Sequence, residues 1–127
     1  MEDSPPDFIT IRTPEREVVD TYELALELVA VVHVVLAKTT ARFHVKDRID
    51  RYTTQVTMRL ARARTDVKPN RWRYYRDVIE HLTDIGTMLD IVDRQHESTA
   101  HAEHARAVQI VRQLVAALLV DAHLAPS

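Results

Sequence analysis

The stretch YRDVIEHLTDIGTMLDIV, residues 75–92, carries the clearest structural pattern in the chain. Its apolar residues alternate at spacings of three and four, the periodicity of a helix that packs nearly parallel to its neighbours. Glycine inside a helix costs about 1 kcal/mol relative to alanine, so we expect Gly86 to permit a close helix approach. The pattern predicts a long helix whose buried stripe is Tyr75, Val78, Leu82, Ile85, Leu89 and Val92.

The first helix of the chain, helix one, is predicted to begin at Thr13-Pro14-Glu15, because threonine caps helices and proline suits the first helical position. The segment 18–38 has two apolar stripes. A helix that is apolar on two sides is usually buried on two sides, within a bundle or between subunits. The run VAVVHVVL, residues 29–36, is also compatible with a strand. The first stripe is Val18, Tyr22, Ala25, Val29, Val32 and Leu36; the second, which we predict to be an oligomer interface, is Leu24, Leu28, Val31 and Val35.

Two more helical segments complete the prediction. Helix two spans about residues 46–64, with a stripe formed by Ile49, Tyr52, Val56, Leu60 and Ala63. Asn70, after Pro69, is the predicted cap of helix three, and Ser98 or Thr99 that of helix four. The apolar side of helix four is predicted to be Ala107, Val108, Val111, Leu114, Val115, Leu118 and Leu119. Four helices of roughly 20 residues predict an all-α, up-down-up-down antiparallel four-helix bundle over residues 13–124, after a flexible segment 1–12.

Composition narrows the class of protein. A chain of 127 residues with 46% hydrophobic and 28% charged residues is expected to form one globular domain. It has one glycine and no cysteine, so turn-rich β folds, disulfides and thiolate chemistry are not expected. The chain starts with acidic residues and does not show the basic start and apolar stretch of a secretory signal. Its longest apolar run, residues 28–37, is too short to span a membrane. We therefore expect a soluble, cytoplasmic protein.

The positive charges are concentrated in the middle of the chain. Residues 42–76 hold eleven of the seventeen Lys and Arg residues and only three Asp, a net charge of +8, whereas the other residues carry −10. Arginines contact phosphates well and aromatic side chains stack on unpaired bases. The residues predicted to contact nucleic acid or a partner protein are Arg59, Arg62, Arg64, Lys68, Arg71, Trp72, Arg73 and Arg76.

Other interpretations of this basic segment remain open. Its arginines could pair with acidic residues such as Asp77, Glu80 and Asp84, or with acidic surface on a neighbouring copy, while Trp72 closes the end of the core. No base-reading motif is present, so any binding of nucleic acid is expected to depend on phosphate contacts and on salt.

Candidates for chemistry are few. Glu97, His101 and His104 share one helical face and could bind a transition metal, but a water-exposed helix start is the alternative that we favour, so no cofactor is predicted. The chain has no nucleophile elbow and no glycine-rich phosphate loop. No catalytic residue is therefore predicted, and the protein is not expected to be an enzyme.

The segment that begins at Arg42, just before helix two, and continues into helix three resembles a known family. The residues Arg42, Phe43, Asp47, Arg48 and Ile49 are similar to a motif of the small four-helix-bundle proteins that include the accessory variability protein of diversity-generating retroelements. Val45 stands for the motif's hydrophobic residue and Lys46 replaces its glycine. The end of helix two (Leu60, Ala61, Ala63) and the start of helix three (Arg71, Trp72, Tyr75, Arg76) also match.

The similarity covers roughly residues 18–95. Helix four departs from the family, because QLVAALLVDA stands where a glycine-rich, tryptophan-containing stretch is common, and the net charge of −2 contrasts with a strongly basic relative. The resemblance implies a ring-like homopentamer of bundles that is not an enzyme and that binds RNA or DNA and a reverse transcriptase. The alternative from the residues alone is a structural homo-oligomer without a nucleic-acid role.

Overall fold

The computed structural model describes residues 10–12, 18–65, 68–95 and 99–124. Four helices pack around one apolar core in this part of the chain, which confirms the predicted number of helices. Each helix contacts the next one along the chain, and the first contacts the fourth. None of the described helices has the length and apolarity that a membrane span requires.

A short β-ribbon, which was not predicted, precedes the first helix. Strands β1 (Thr10–Arg12) and β2 (Val18–Asp20) pair antiparallel, and β1 lies beside the fourth helix. Residues 1–9 of the predicted flexible segment and the predicted cap Thr13 lie outside the described residues. The segment 18–20, expected to be helical, is extended instead, because β-branched valines suit a strand and Asp20 is a good helix cap.

Helix α1 (Thr21–Ala37) therefore begins later than predicted. The Asp20 carboxylate accepts a hydrogen bond from the Glu23 backbone N–H at 3.1 Å, which satisfies one free donor at the helix start. The segment 29–36 is helical and not a strand. The buried residues of α1 combine members of both predicted stripes with one threonine: Thr21, Ala25, Leu28, Val32, Val35 and Leu36.

This orientation of α1 corrects the predicted oligomer interface. Leu28 and Val35 are completely buried inside the single chain, and Leu24 and Val31 are half-buried against the same core. The prediction that Leu28 and Val35 form an oligomer interface is wrong, since a side chain enclosed in the core of its own chain has no surface left for a partner. The exposed side of α1 lies elsewhere, around Leu26.

Helix α2 (Phe43–Ala63) begins about one turn earlier than predicted. Ile49, Val56, Leu60 and Ala63 are buried as expected, but Tyr52 lies at the edge of the core and Thr53 takes the buried place. The Thr53 hydroxyl donates a hydrogen bond to the Asp50 carbonyl oxygen at 2.8 Å. This hydrogen bond within the helix offsets the desolvation cost of burying the Thr53 hydroxyl.

Helix α3 (Lys68–Gln95) is the longest element, with 28 residues and a length of ~42 Å. All six residues of its predicted stripe are at most 2% exposed, so the central prediction is confirmed. The helix begins before Pro69, so Asn70 lies inside it and is not its cap. Proline is compatible with the first turn because the backbone N–H that it lacks would have no partner there.

Helix α4 (His101–Leu124) is rotated relative to the predicted stripe. Its first hydrogen bond runs from the His104 N–H to the Ala100 carbonyl oxygen at 2.8 Å, so Ala100 rather than Thr99 precedes the helix; Ser98 lies outside the described residues. Val108 and Val115 lie at the edge of the core, and Leu119 is half exposed. The core residues of α4 are Ala107, Ile110, Val111, Leu114, Ala117 and Leu118.

Candidate nucleic-acid interface

The predicted binding residues meet at the joint between α2 and α3. Because α2 ends at Ala63 and α3 begins at Lys68, the last turn of one helix and the first turns of the other lie at the same end of the protein. The start of α1 is also there, since the Arg64 guanidinium carbon lies 5.2 Å from the centroid of the Tyr22 ring. A positively charged guanidinium over an aromatic face is a favourable cation–π contact.

Four arginines at this end have exposed side chains: Arg62, Arg64, Arg73 and Arg76. We call them, together with Trp72, the basic corner. Within the described part of the chain, Arg62, Arg73 and Arg76 make no ion pair. Trp72 is 42% exposed, so it leaves part of its ring accessible rather than closing the core completely. The basic corner therefore presents unneutralised positive charge and an aromatic surface side by side.

Arg59 is not part of this exposed set. Its Nε lies 3.4 Å from Oδ2 of Asp77, which joins α2 to α3. One turn further along α3, His81 Nδ1 lies 2.7 Å from the Asp77 carbonyl oxygen, and the His81 ring meets Tyr52 of α2 edge-on at 4.8 Å. Arg59 thus follows the interpretation in which an arginine pairs with a carboxylate of the bundle.

Arg71 is also engaged within the bundle. It is half-buried, and its charge acts on the buried phenol of Tyr75 in the next turn. Burial raises the pKa of the Tyr75 phenol above its ordinary value, and the charge of Asp121 and a hydrogen bond with it raise this pKa further. We therefore assign Arg71 to the end of the core rather than to the exposed surface. The side chain of Lys68, also in the predicted set, lies outside the described residues.

The predicted histidine cluster is only partly described. Glu97 lies outside the described residues, and His101 is exposed. His104 Nε2 lies 3.0 Å from the Leu89 carbonyl oxygen on α3, so this nitrogen donates a hydrogen bond between helices. Among the described residues, no three His, Asp or Glu side chains are placed to hold one metal ion.

An ion pair between α1 and α4 was not predicted. Arg106 Nε and Nη2 lie 2.6 and 2.8 Å from the two carboxylate oxygens of Glu27, a two-pronged arrangement that fits the planar guanidinium. The hydrogen bond from Arg106 lowers the pKa of Glu27 below its usual value of 4.5. The side chains are 35% and 41% exposed, so water screens the pair and its contribution to stability is small.

This ion pair predicts a weak pH dependence of stability. Because the folded state lowers the pKa of Glu27, the contribution is present above the pKa of the unfolded chain and is lost as pH falls through the folded value. Arg106→Gln should raise the pKa of Glu27 toward 4.5, as measured by NMR titration of the carboxyl group. The stability lost should stay below about 1 kcal/mol.

The control for this titration is Arg51→Gln, which removes a more exposed pair with Asp47 inside α2 and should leave the pKa of Glu27 unchanged. A Glu27 pKa that is the same with and without Arg106 would contradict the assigned pair.

A groove of about 490 Å³ runs between α3 and α4. It passes beside Gly86, where an added Cβ would lie 3.7 Å from Val111 Cγ1, an ordinary contact distance. Our expectation that glycine permits a close helix approach is therefore wrong, because alanine would fit this packing. The groove is lined by Leu82, Thr83, Gly86, Thr87 and Asp90 of α3 and by Val108, Val111, Arg112, Val115, Ala116 and Leu119 of α4.

Sequence reasoning missed two features of the exposed surface. Phe43, the first residue of α2, is 82% exposed; its place in the family motif singled it out, but its exposure was not predicted. Tyr22 was assigned to an apolar stripe of helix one but lies under the Arg64 guanidinium.

Comparisons with protein-family models, with curated proteins and with solved structures give no significant match to this chain. The resemblance of residues 18–95 to the four-helix-bundle family therefore rests on the motif residues of the sequence alone.

Proposed function

We propose that the protein is a non-catalytic accessory protein that self-associates and binds single-stranded or structured nucleic acid through the basic corner. The observation that carries the proposal is a set of exposed arginines that have no carboxylate partner in the part of the chain that the structure describes, next to an exposed tryptophan, in a protein of negative net charge. Guanidinium groups would contact phosphates, and Trp72 would stack on a base. A reverse transcriptase is the protein partner that the family resemblance implies, and the absence of cysteine fits the cytoplasm.

The proposed architecture is an up-down-up-down antiparallel bundle in a ring-like oligomer. Contacts between α2 and α3 support opposite directions, because Tyr52 meets His81 whereas Arg59, further along α2, meets the earlier Asp77. The resemblance implies five copies. Self-association is also supported by α1, which carries apolar residues on its exposed side as well as on its buried side.

The single tryptophan provides a direct experiment. A single-stranded oligonucleotide titrated at low salt should quench the fluorescence of Trp72, because this is the one tryptophan in the chain and stacking brings a base against its ring. Polyphosphate is the matched control: it offers the same charge without bases, so it should compete for the arginines but cause much less quenching.

Two results would count against this function. Absence of binding to any DNA or RNA at low salt would favour the alternative, in which the basic region only meets acidic surface of neighbouring copies. Equal quenching by the oligonucleotide and by polyphosphate would remove the stacking role of Trp72.

A further inference from the structure

We infer that copies of this protein associate by placing the exposed side of α1 of one copy into the groove between α3 and α4 of the next. The inference rests on the self-association proposed above and names its contact. It joins two different surfaces of the same chain, each of which exposes apolar side chains to water.

The first surface is an outer strip on α1. Its members are exposed or half-buried residues on the side of the helix that faces away from the core: Leu26, Val29, Ala30, His33, Val34 and Ala37. Leu26 is 40% exposed, and charged residues flank the strip only toward its ends, as Glu23 and Lys38, with Glu27 at its edge held by Arg106. A surface helix normally carries polar residues on this side, so an apolar strip indicates a covered surface.

The second surface is the α3/α4 groove. Leu119 is 50% exposed and Ala116 is exposed, while Val108 and Val115 are half-buried along its wall. Gly86 adds no side chain to the groove, which leaves room for an incoming helix ridge. The groove is concave and its α4 wall is apolar except for Arg112, so it fits the ridge of a helix better than it fits a flat surface.

The dimensions of the two surfaces agree. The outer strip from Leu26 to Ala37 and the α4 wall of the groove from Val108 to Leu119 are each about 16 Å long at 1.5 Å per residue. Ala30 and Ala37 are small, so α1 can approach the groove closely.

The charges of the two surfaces are also complementary. The groove is lined by one carboxylate, Asp90 of α3, and one guanidinium, Arg112 of α4. The strip is flanked by one charge of each sign, Glu23 near the start of α1 and Lys38 just after its end. Each surface therefore offers charges of opposite sign to those of the other.

A contact between two different surfaces has a consequence for assembly. Each copy then offers one strip and one groove, so association continues until a ring closes or a filament forms. A contact between two α1 strips would instead stop at a dimer. The two arrangements respond differently to substitution, which makes the contact testable.

The experiment uses two variants of the full chain that each damage one surface. Leu26→Glu alters the strip and Leu119→Glu alters the groove, and both positions are exposed, so the fold should survive, as circular dichroism checks. Each variant alone should have the 14.6 kDa monomer mass by light scattering, whereas the unmodified protein should be larger. An equal mixture should give a species of twice the monomer mass, because the intact strip of one variant fits the intact groove of the other.

The matched control is Met58→Glu, an exposed apolar position on α2 outside both surfaces, which should assemble like the unmodified protein. Ala30→Glu and Ala116→Glu repeat the test at a second position of each surface. If the unmodified protein assembles but Leu119→Glu does not reduce its mass, or the mixture stays monomeric, this contact is overturned while self-association stands. A monomeric unmodified protein overturns self-association itself.

Discussion

Replacing Leu28 by alanine is expected to lower the free energy of unfolding by about 2 to 5 kcal/mol. Leu28 is completely buried at the centre of α1, so the shorter side chain removes apolar contacts and leaves a cavity. Chemical denaturation followed by circular dichroism measures the change. The substitution tests the assignment of Leu28 to the core of the chain rather than to a contact between copies.

Leu26→Ala is the matched control, two positions earlier on the same helix, and both alanine substitutions are made in the Leu119→Glu background so that the proposed contact between copies does not contribute. This side chain is 40% exposed, so its truncation should change the free energy of unfolding by roughly 0.5 kcal/mol. Equal losses for the two variants, or a larger loss for Leu26→Ala, would mean that α1 is rotated relative to the described orientation.

Reversing the charge of three arginines in the basic corner should nearly abolish nucleic-acid binding. Arg62, Arg73 and Arg76 are exposed and make no ion pair among the described residues, so replacing all three by glutamate should not unfold the protein. Each lost charge-assisted contact is worth about 1 kcal/mol or more, which predicts a dissociation constant raised at least about 100-fold. Fluorescence anisotropy with a labelled oligonucleotide measures this change.

A second triple variant separates position from net charge. Arg42 and Arg48 at the start of α2 and Arg94 at the end of α3 are exposed and distant from the α2–α3 joint along their helices. Replacing them by glutamate changes the net charge equally. A similar loss of affinity in both triple variants would show that binding follows overall charge and not the basic corner.

The helical architecture was predictable from sequence where the pattern has a single interpretation. Most large apolar residues of α3 lie on one side, with Trp72 and Ile91 as exposed exceptions, so the periodicity of this helix also identified its buried face. Helix α1 is apolar on nearly all sides, so its sequence does not indicate which side faces the core. Contacts with α2 and α4 decide that rotation, which is why Leu28 and Val35 were placed on the wrong surface.

Short elements and side-chain partners were less predictable. Three-residue strands such as β2 have little periodicity, and the Thr13-Pro14-Glu15 signal favoured a helix start before them. The sequence identified the arginines of the candidate site because they are concentrated in one segment. It did not show which of them are exposed and which are engaged with other residues. Arg59 and Arg71 are engaged because Asp77 and the Tyr75–Asp121 pair lie beside them, and these partners come from other turns and helices.

The salt dependence of oligonucleotide binding tests the central claim most directly. Four exposed arginines lie in the basic corner, and each phosphate contact contributes roughly 0.7 to 0.9 to the slope of log affinity against log salt concentration. We therefore expect a slope of about −3 for the unmodified protein and a slope of about −1 for the Arg62/Arg73/Arg76 charge-reversed variant, which keeps only Arg64. A slope near zero for the unmodified protein, or the same slope for both proteins, would contradict binding through the basic corner.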